Sequence, residues 1–499
     1  MKKTHSMLIN LAGLVKKAHS LLINLAGIVG SALIFFIGWE YNIPAAPWLS
    51  FPLLIYSFRH MDKWYKTLLP VLIMVVARFF SIDGGWDMGL VLTVTFAVVV
   101  CLPLILSLYL DRIFFRRLRP LPSIFVFPVI YVVLDYLLTF ANLGMTFSVA
   151  YTQSTYLPLM QSASLFGSWF VEFIVLWFAP VAVLAFENIK QLETVKRPLA
   201  VFSVILAAVM VFGWARMAFD KPKGATVRIA SISEPHDRDY WSITAAGTPK
   251  ADAETNKPVM AKIQDNLFAS SQKAADYGAK IIFWSEGNCP MYEDDFDTFM
   301  TRAKSFAKNN GVYFMPAVVD LLYGQTKNKN LAIMINPEGE VEFQYEKTIS
   351  WYPSDSDGVI HVIDTPYGKL STAICFDNDY PMLVSQAKDA DIMLIPAYDT
   401  KKIGDYHSRV AFLRGIENGY STVRQSNEGS SISADYLGNT LTYQNFFSTE
   451  DRVMISDVPM RGKTTLYGLT GEIFLWLDCA AFAALIVYYF IHRRRTEKV

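Results

Sequence analysis

The sequence predicts an integral membrane protein that carries a layered α/β domain, and three observations lead there. Hydrophobic residues make up 53% of the 499 and charged ones 18%, a balance too oily for an ordinary soluble protein. The apolar residues gather before about residue 220 and after about residue 471. Between them lies a polar stretch in which strand and helix patterns alternate. The expected division is a transmembrane bundle over 1–220, a soluble domain over 221–470, and a last membrane helix with a basic tail over 471–499. The formal net charge is zero and no basic stripe with interleaved aromatics appears, so nucleic acid is not an expected partner. Cys101, Cys289, Cys375 and Cys479 show neither metal-ligand spacing nor a disulfide framework. The seven histidines contain no HxxxH or HxH pair. Neither a metal nor another cofactor is expected.

The first 29 residues hold a tandem repeat of period fourteen: Lys2–Gly13 is nearly restated from Lys16 to Gly27. Fourteen residues are two heptads, so both copies would share one helix face. A recent duplication, or a start codon set too early, accounts for the repeat, and no signal peptide is read there. Spans are expected at about 20–39, 43–58, 65–81, 88–110, 122–141, 164–186, 198–218 and 472–492, each near the ~20 residues that cross ~30 Å of hydrocarbon. The second and third are the shortest or most interrupted, by Pro47, Pro52, Pro70 and Arg78. Arg78 should lie near a span end or face the bundle, because a charge facing lipid costs a few kcal/mol.

Lysines and arginines cluster before the first span and in 59–66, 111–119, 190–197 and 492–498, whereas 81–87 and 142–163 carry none. By the positive-inside rule eight spans then leave both termini inside, and residues 221–470 outside the cytoplasmic membrane. Tethered at both ends, that segment can work close to the lipid surface.

Its strand candidates are 226–233, 279–285, 312–320, 330–336, 341–346, 369–374, 390–395, 421–427 and 431–435. Helical periodicity fits 258–277, 292–309, 381–388 and 403–418. Pro337–Glu340 reads as a hairpin turn. Residues 235–257, polar and patternless, read as a mobile loop.

Three reactive residues fall at strand ends. The apolar run Leu370–Ile374 stops at Cys375, and Asp379 and Pro381 then suit the start of a helix. A thiol at such a junction meets backbone N–H groups and the positive end of a helix dipole, which favour a thiolate and an oxyanion. Glu286 closes Ile281–Ser285, and Lys347 follows the alternating Val341–Glu346. Singly each has an ordinary explanation: a buried core thiol, a solvated acid, a solvated lysine. Together they put an acid, a cation and a nucleophile on one edge of one sheet, where α/β folds place their sites.

The order Glu, Lys, Cys resembles the nitrilase (carbon–nitrogen hydrolase) superfamily. Trp284-Ser285-Glu286 resembles its W-x-E, Tyr345-Glu346-Lys347 its Y-x-K, and Cys375-Phe376-Asp377 its nucleophile turn. Arg414–Asn418 and Arg424–Gly429 look like its R-x-x-E-N and R-x-x-N-x-G. Eight spans with such a domain between the seventh and eighth resemble the apolipoprotein N-acyltransferase family. The resemblance implies an α-β-β-α sandwich with Glu286, Lys347 and Cys375 catalytic and the Phe376 backbone N–H in the oxyanion site. It implies a phospholipid acyl donor, a lipoprotein acceptor, contact with membrane lipids, and residence in a bacterial cytoplasmic membrane. The family's L-V-P-F-G-E-Y loop is replaced by Thr348–Asp355, which leaves Asp355 where the supporting glutamate would stand. The first-strand motif is altered to Ile232–His236, and Trp241 would stand for the family's loop tryptophan. Trp241, Trp351 and Tyr352 are the expected substrate-binding residues, and Phe446 and Phe447 lie in a loop suited to headgroups. The same triad would also serve a membrane-anchored amidase or nitrilase, which the altered loop favours and the eight spans oppose. Cys289, three residues past Glu286, is expected to be a buried bystander; a bridge to Cys375 would silence the nucleophile.

Overall fold

Long apolar runs fold as helices here because a helix satisfies its own backbone hydrogen bonds away from water. The computed structural model describes residues 2–85, 89–234, 253–323, 328–350 and 354–496. They form two units: one of Met1–Leu159, Trp169–Phe212 and Ile473–Val499, the other of Met160–Ser168 and Gly213–Glu472. Among the described residues seven helices are long and apolar enough to cross a membrane, the first covering Lys16–Phe36 and the last Ile473–Ile491. The segment expected at 43–58 is a 16-residue helix, Ala45–His60, with Pro52 inside it; at 1.5 Å per residue it rises only about 24 Å. Both copies of the N-terminal repeat lie in one continuous helix, Lys2–Ala32.

Arg59, Arg78 and Asp111 of the first unit are turned inward. Arg59 is buried and bidentate to Asp111, with Nε–Oδ2 at 2.7 Å and Nη2–Oδ1 at 2.8 Å. Arg78 is buried as well; its guanidinium donates to the Ile37 carbonyl and lies 4.8 Å from the Phe147 ring centroid. It faces the bundle, the less costly of the two places open to it.

The second unit is built on two sheets. Its strands in chain order begin with β1 (Thr226–Ile232), β2 (Ile281–Trp284), β3 (Cys289–Tyr292), β4 (Tyr313–Met315), β5 (Ala317–Leu321), β6 (Lys329–Ile335) and β7 (Val341–Glu346). Next come β8 (Val362–Thr365), β9 (Gly368–Thr372), β10 (Ile392–Tyr398), β11 (Ser421–Asn427), β12 (Ser430–Ala434), β13 (Thr440–Asn445) and β14 (Val453–Pro459). The first sheet has the order β14-β1-β2-β4-β6-β5-β3, with β7 also paired to β6; the second runs β13-β12-β11-β10-β9-β8. Both have parallel centres, β1–β2–β4 and β9–β10–β11, so several strands end on the same side.

Period-two alternation sorts the side chains. Val227, Ile229, Ile281 and Phe283 from the first sheet share a core with Leu370, Ile392, Leu394 and Val423 from the second. Ile282 and Trp284 point the other way, onto Leu267, Phe268 and Phe299 of helices Ala253–Asp276 and Phe296–Asn310. Helix Gly404–Asn418 lies against β11 and β12. The layers are therefore helix, sheet, sheet, helix.

The differences from expectation have local causes. The strand expected over 312–320 is two, β4 and β5, separated by Pro316, which cannot donate to a ladder. Helix Ala253–Asp276 starts five residues before Pro258 and takes in the end of the stretch read as a loop; residues 235–252 lie outside the described residues. The helix expected over 381–388 is a single turn, Pro381–Val384, continued by a 3-10 turn. The hairpin turn at Pro337–Glu340 is present between β6 and β7, with Gly339 at φ +84°.

Candidate active site

Glu286, Lys347 and Cys375 each follow the end of a strand, but of strands in two sheets. Glu286 lies past β2 and Lys347 past β7 of the first sheet, and Cys375 lies past β9 of the second. The expectation of one edge of one sheet is thereby corrected: the residues meet because the sheets pack face to face. Lys347 Nζ lies 2.6 Å from Glu286 Oε1, and both side chains are largely buried. Asn330 Nδ2 donates to the same oxygen at 2.8 Å, and the Tyr398 backbone N–H donates to Oε2 at 3.1 Å. The Tyr398 carbonyl in turn accepts from Cys375 Sγ at 3.4 Å. One residue at the end of β10 thus touches both acid and thiol.

Cys375 has φ +48°, a left-handed conformation that a non-glycine residue adopts only when its surroundings impose it. The turn that imposes it is Cys375–Asp379, a 3-10 turn rather than the start of a long helix. The helix that follows it, Pro381–Val384, is a single turn and too short to supply a useful dipole, which corrects that part of the sequence reading. Asp377 secures the turn instead: Oδ2 accepts from Tyr345 Oη at 2.7 Å and from the Ile374 N–H at 3.1 Å, while Oδ1 accepts from the Ile349 N–H at 2.7 Å. Through Tyr345 and Ile349 this single carboxylate ties the lysine strand to the cysteine turn. Arg414 adds a second tie. Its Nε donates to the Asn378 carbonyl at 3.0 Å, and its Nη1 reaches Ser168 Oγ at 3.1 Å and Glu417.

Burial pushes the Cys375 thiol well up, Glu286 adds to the rise, and Lys347 opposes it. Burial disfavours the Lys347 ammonium, but Glu286, then Cys375 and Asp377, outweigh that and keep it charged. Burial likewise raises Asp377 to about 6, against the pull of Lys347. A thiol beside a carboxylate and a fixed ammonium can lose its proton as it attacks a carbonyl, with positive charge waiting for the oxyanion.

Phe376 is buried beside the nucleophile. Asp355 is exposed on the loop beyond Lys347, where its backbone N–H donates to Glu346 Oε1 at 3.0 Å. Trp241, Trp351 and Tyr352 lie outside the described residues. Cys289 is a free, buried cysteine in the core between the first sheet and its helices, whereas free Cys375 belongs to the core between the sheets. Sequence reasoning missed Asn330, whose only signal was its place at the start of β6, and the Tyr398 peptide, which gave none. It also missed His407 and Asp399: Cys375, Asp399 and His407 bring potential ligand atoms within 4.8 Å of one another.

Residues 244–474 match the family described as carbon-nitrogen hydrolase. The apolipoprotein N-acyltransferase of Geobacter metallireducens is 24% identical over 416 residues, which cover 75% of this chain and 76% of that protein. Apolipoprotein N-acyltransferase 2 of Treponema denticola is 22% identical over 395 residues, covering 68% and 71%. Among solved structures, the NitN amidase from Neterenkonia sp. AN1 aligns at 16% identity and a TM-score of 0.37, over 47% of this chain and 93% of its own. Its acid, lysine and cysteine gather at the strand ends of a double sheet, residues 244–474 carry a carbon–nitrogen hydrolase domain, and the chain is similar over most of its length to proteins named apolipoprotein N-acyltransferase.

Proposed function

We propose that this enzyme moves an acyl chain from a phospholipid to the α-amine of a diacylglyceryl-cysteine lipoprotein, through a thioester on Cys375. The observation that carries the reading is the convergence of Glu286 and Cys375 on the Tyr398 peptide, with Lys347 2.6 Å from the acid. In the first half-reaction Glu286 takes the thiol proton, the sulfur attacks the ester carbonyl, and Glu286 returns the proton as the lysophospholipid leaves. In the second, the amine attacks the thioester, Glu286 takes the amine proton, and the thiol is restored as the amide departs. Lys347 and the Phe376 N–H stabilise the oxyanion of both steps.

Eight spans, with Ala45–His60 as the shortest, and the charge pattern of the loops support an extracytoplasmic catalytic domain in a bacterial cytoplasmic membrane. An insoluble acyl donor gives the many spans a purpose that a water-soluble amide would not. Trp241, Trp351 and Tyr352 are assigned to substrate binding. The exposed position of Asp355, at the place of the family's supporting glutamate, favours a second reading in which water accepts the acyl group.

The test uses the purified full-length chain and a labelled phospholipid. A hydroxylamine-sensitive adduct should form, vanish in Cys375→Ala, and discharge to an amide when a diacylated lipopeptide is added. Release of free fatty acid with no amide product establishes the hydrolase reading, and an undiminished adduct in Cys375→Ala removes both.

A further inference from the structure

Among the described residues of the catalytic unit two non-glycine residues hold a left-handed backbone, and Cys375 is one of them. The other is Glu428, at φ +53°, in the turn between β11 and β12. A side chain in that conformation is strained and persists only where its surroundings fix the turn. Here they do. The Asn427 carbonyl accepts from the Asp399 N–H at 2.9 Å, and the Gly429 carbonyl accepts from the Phe446 N–H at 3.0 Å. A Cβ on Gly429 would lie 2.6 Å from Asp399 Oδ2, so the turn is pressed against that carboxylate. The chain thus carries a glutamate where a glycine would sit without strain.

What the glutamate gains is a fixed place next to the reacting groups. Its Oε2 accepts from Tyr398 Oη at 2.8 Å. Tyr398 is paired with Asn427 across β10 and β11, and its peptide is the one that donates to Glu286 and accepts from Cys375. The other acids around the sulfur are already engaged. Glu286 is held by Lys347, Asn330 and the Tyr398 N–H, and Asp399 by Arg424, Ser426 and His407. Asp377 accepts from Tyr345 and two backbone N–H groups, and Asp379, fully buried, lies 3.9 Å from His407 Nε2. Glu428 differs from all of them. It is half-buried, and among the described residues its carboxylate meets one neutral hydroxyl and no cation. A carboxylate held still, partly out of water and without a counter-charge, suits a cation that has hydrogens to donate.

We propose that Glu428 receives the α-ammonium of the acceptor and so distinguishes acceptor from donor. This rests on the acyl-transfer reading above and names the contact by which its second substrate is recognised. The two substrates differ in charge near the atoms that approach the sulfur. A phosphodiester is an anion, which the carboxylate repels, whereas a free α-amine is largely protonated at neutral pH. The ammonium makes a charge-assisted hydrogen bond to the carboxylate that Tyr398 holds in place. It gives one proton to water, and the neutral amine then attacks the thioester while Glu286 takes the second proton. Nothing is oxidised or reduced.

The test measures binding of a diacylated lipopeptide with a free α-amine, dye-labelled at its far end, to full-length Cys375→Ala protein in detergent. The same lipopeptide, N-acetylated, is measured alongside. The free amine should bind about tenfold more tightly, and the preference should shrink as salt rises. Glu428→Gln keeps an acceptor for Tyr398, and Glu428→Gly suits the left-handed turn, so both retain the fold, as melting temperatures certify. Either change should abolish the preference. On a Cys375 adduct made with labelled phospholipid, the same changes should raise the lipopeptide concentration for half-maximal discharge about tenfold, with a smaller effect on the limiting rate. Equal binding of the two lipopeptides with Glu428 intact overturns the proposal, and so does a folded Glu428 variant that keeps the preference. A preference that depends on Glu428, beside an adduct that yields fatty acid and no amide, upholds the amine site and instead removes the acyl-transfer reading.

Discussion

Replacing Lys347 with methionine separates two roles that the structure gives one ammonium. Its Nζ is 2.6 Å from Glu286 Oε1, and the two side chains are 14% and 8% exposed. Methionine nearly conserves the volume, so little cavity opens and the loss is electrostatic. Removing one partner of a buried pair strands the other charge, at a cost of about 3–5 kcal/mol. For a domain of this size that lowers the melting temperature by roughly 10 °C. Removing an oxyanion donor slows acylation by about 10²–10³. Differential scanning calorimetry in detergent reads the first effect, and the initial rate of phospholipid-dependent labelling of Cys375 reads the second. Adding Glu286→Gln should restore most of the stability, because no buried charge is left alone, and none of the rate. A single variant that melts with the wild type and labels at the wild-type rate would refute the reasoning on both counts.

The pH dependence of Asp377 has a definite sign. Burial lifts its carboxyl from 3.8 to about 6, so its contribution to stability is complete below about pH 4 and is lost as pH rises through 6. Asp377→Asn should flatten the melting temperature across that window, although its absolute value will fall with the lost acceptors. Arg414→Leu leaves the buried Glu417 carboxylate without its guanidinium; a loss of about 3–5 kcal/mol is expected in denaturant titrations. Gly419→Ala forces a side chain onto φ +86° and into the Lys463 carbonyl, so calorimetry should show a destabilisation of at least about 1–2 kcal/mol. Asp355→Ala, in contrast, alters an exposed side chain, and the labelling rate should stay within roughly twofold.

Much of the catalytic domain was legible because its signals are local. The alternation in Val341–Glu346 marked a strand to the residue, and Ser421–Asn427, with Thr422 and Val423 near its start, was read with the bounds it has. Proline and glycine marked the turn between β6 and β7, and the order of Glu286, Lys347 and Cys375 survived from sequence to site. Four strands left no clear local trace. β3 is short and contains Pro290, β8 is four residues, and β13 is polar and half-exposed on a sheet edge. β14 finds its place only by pairing antiparallel with β1, from Thr226–Pro459 to Ile232–Val453. Nor did composition show that Met160–Ser168, between two apolar helices, belongs with the catalytic unit. It is held there by Gln161, which donates to the Leu437 carbonyl at 2.8 Å, and by Ser168 against Arg414.

Periodicity along the chain determined which residues are strand, helix or membrane span, because each pattern reports which neighbours a side chain shares over a few residues. It determined as well that an acid, an ammonium and a thiol stand at strand ends. Only the tertiary structure decided that those ends belong to two sheets pressed face to face. Only it set the Tyr398 peptide between acid and sulfur and carried His407 to the sulfur's other neighbours. Those juxtapositions come from pairing and packing between segments tens to hundreds of residues apart, and such contacts have no period to read.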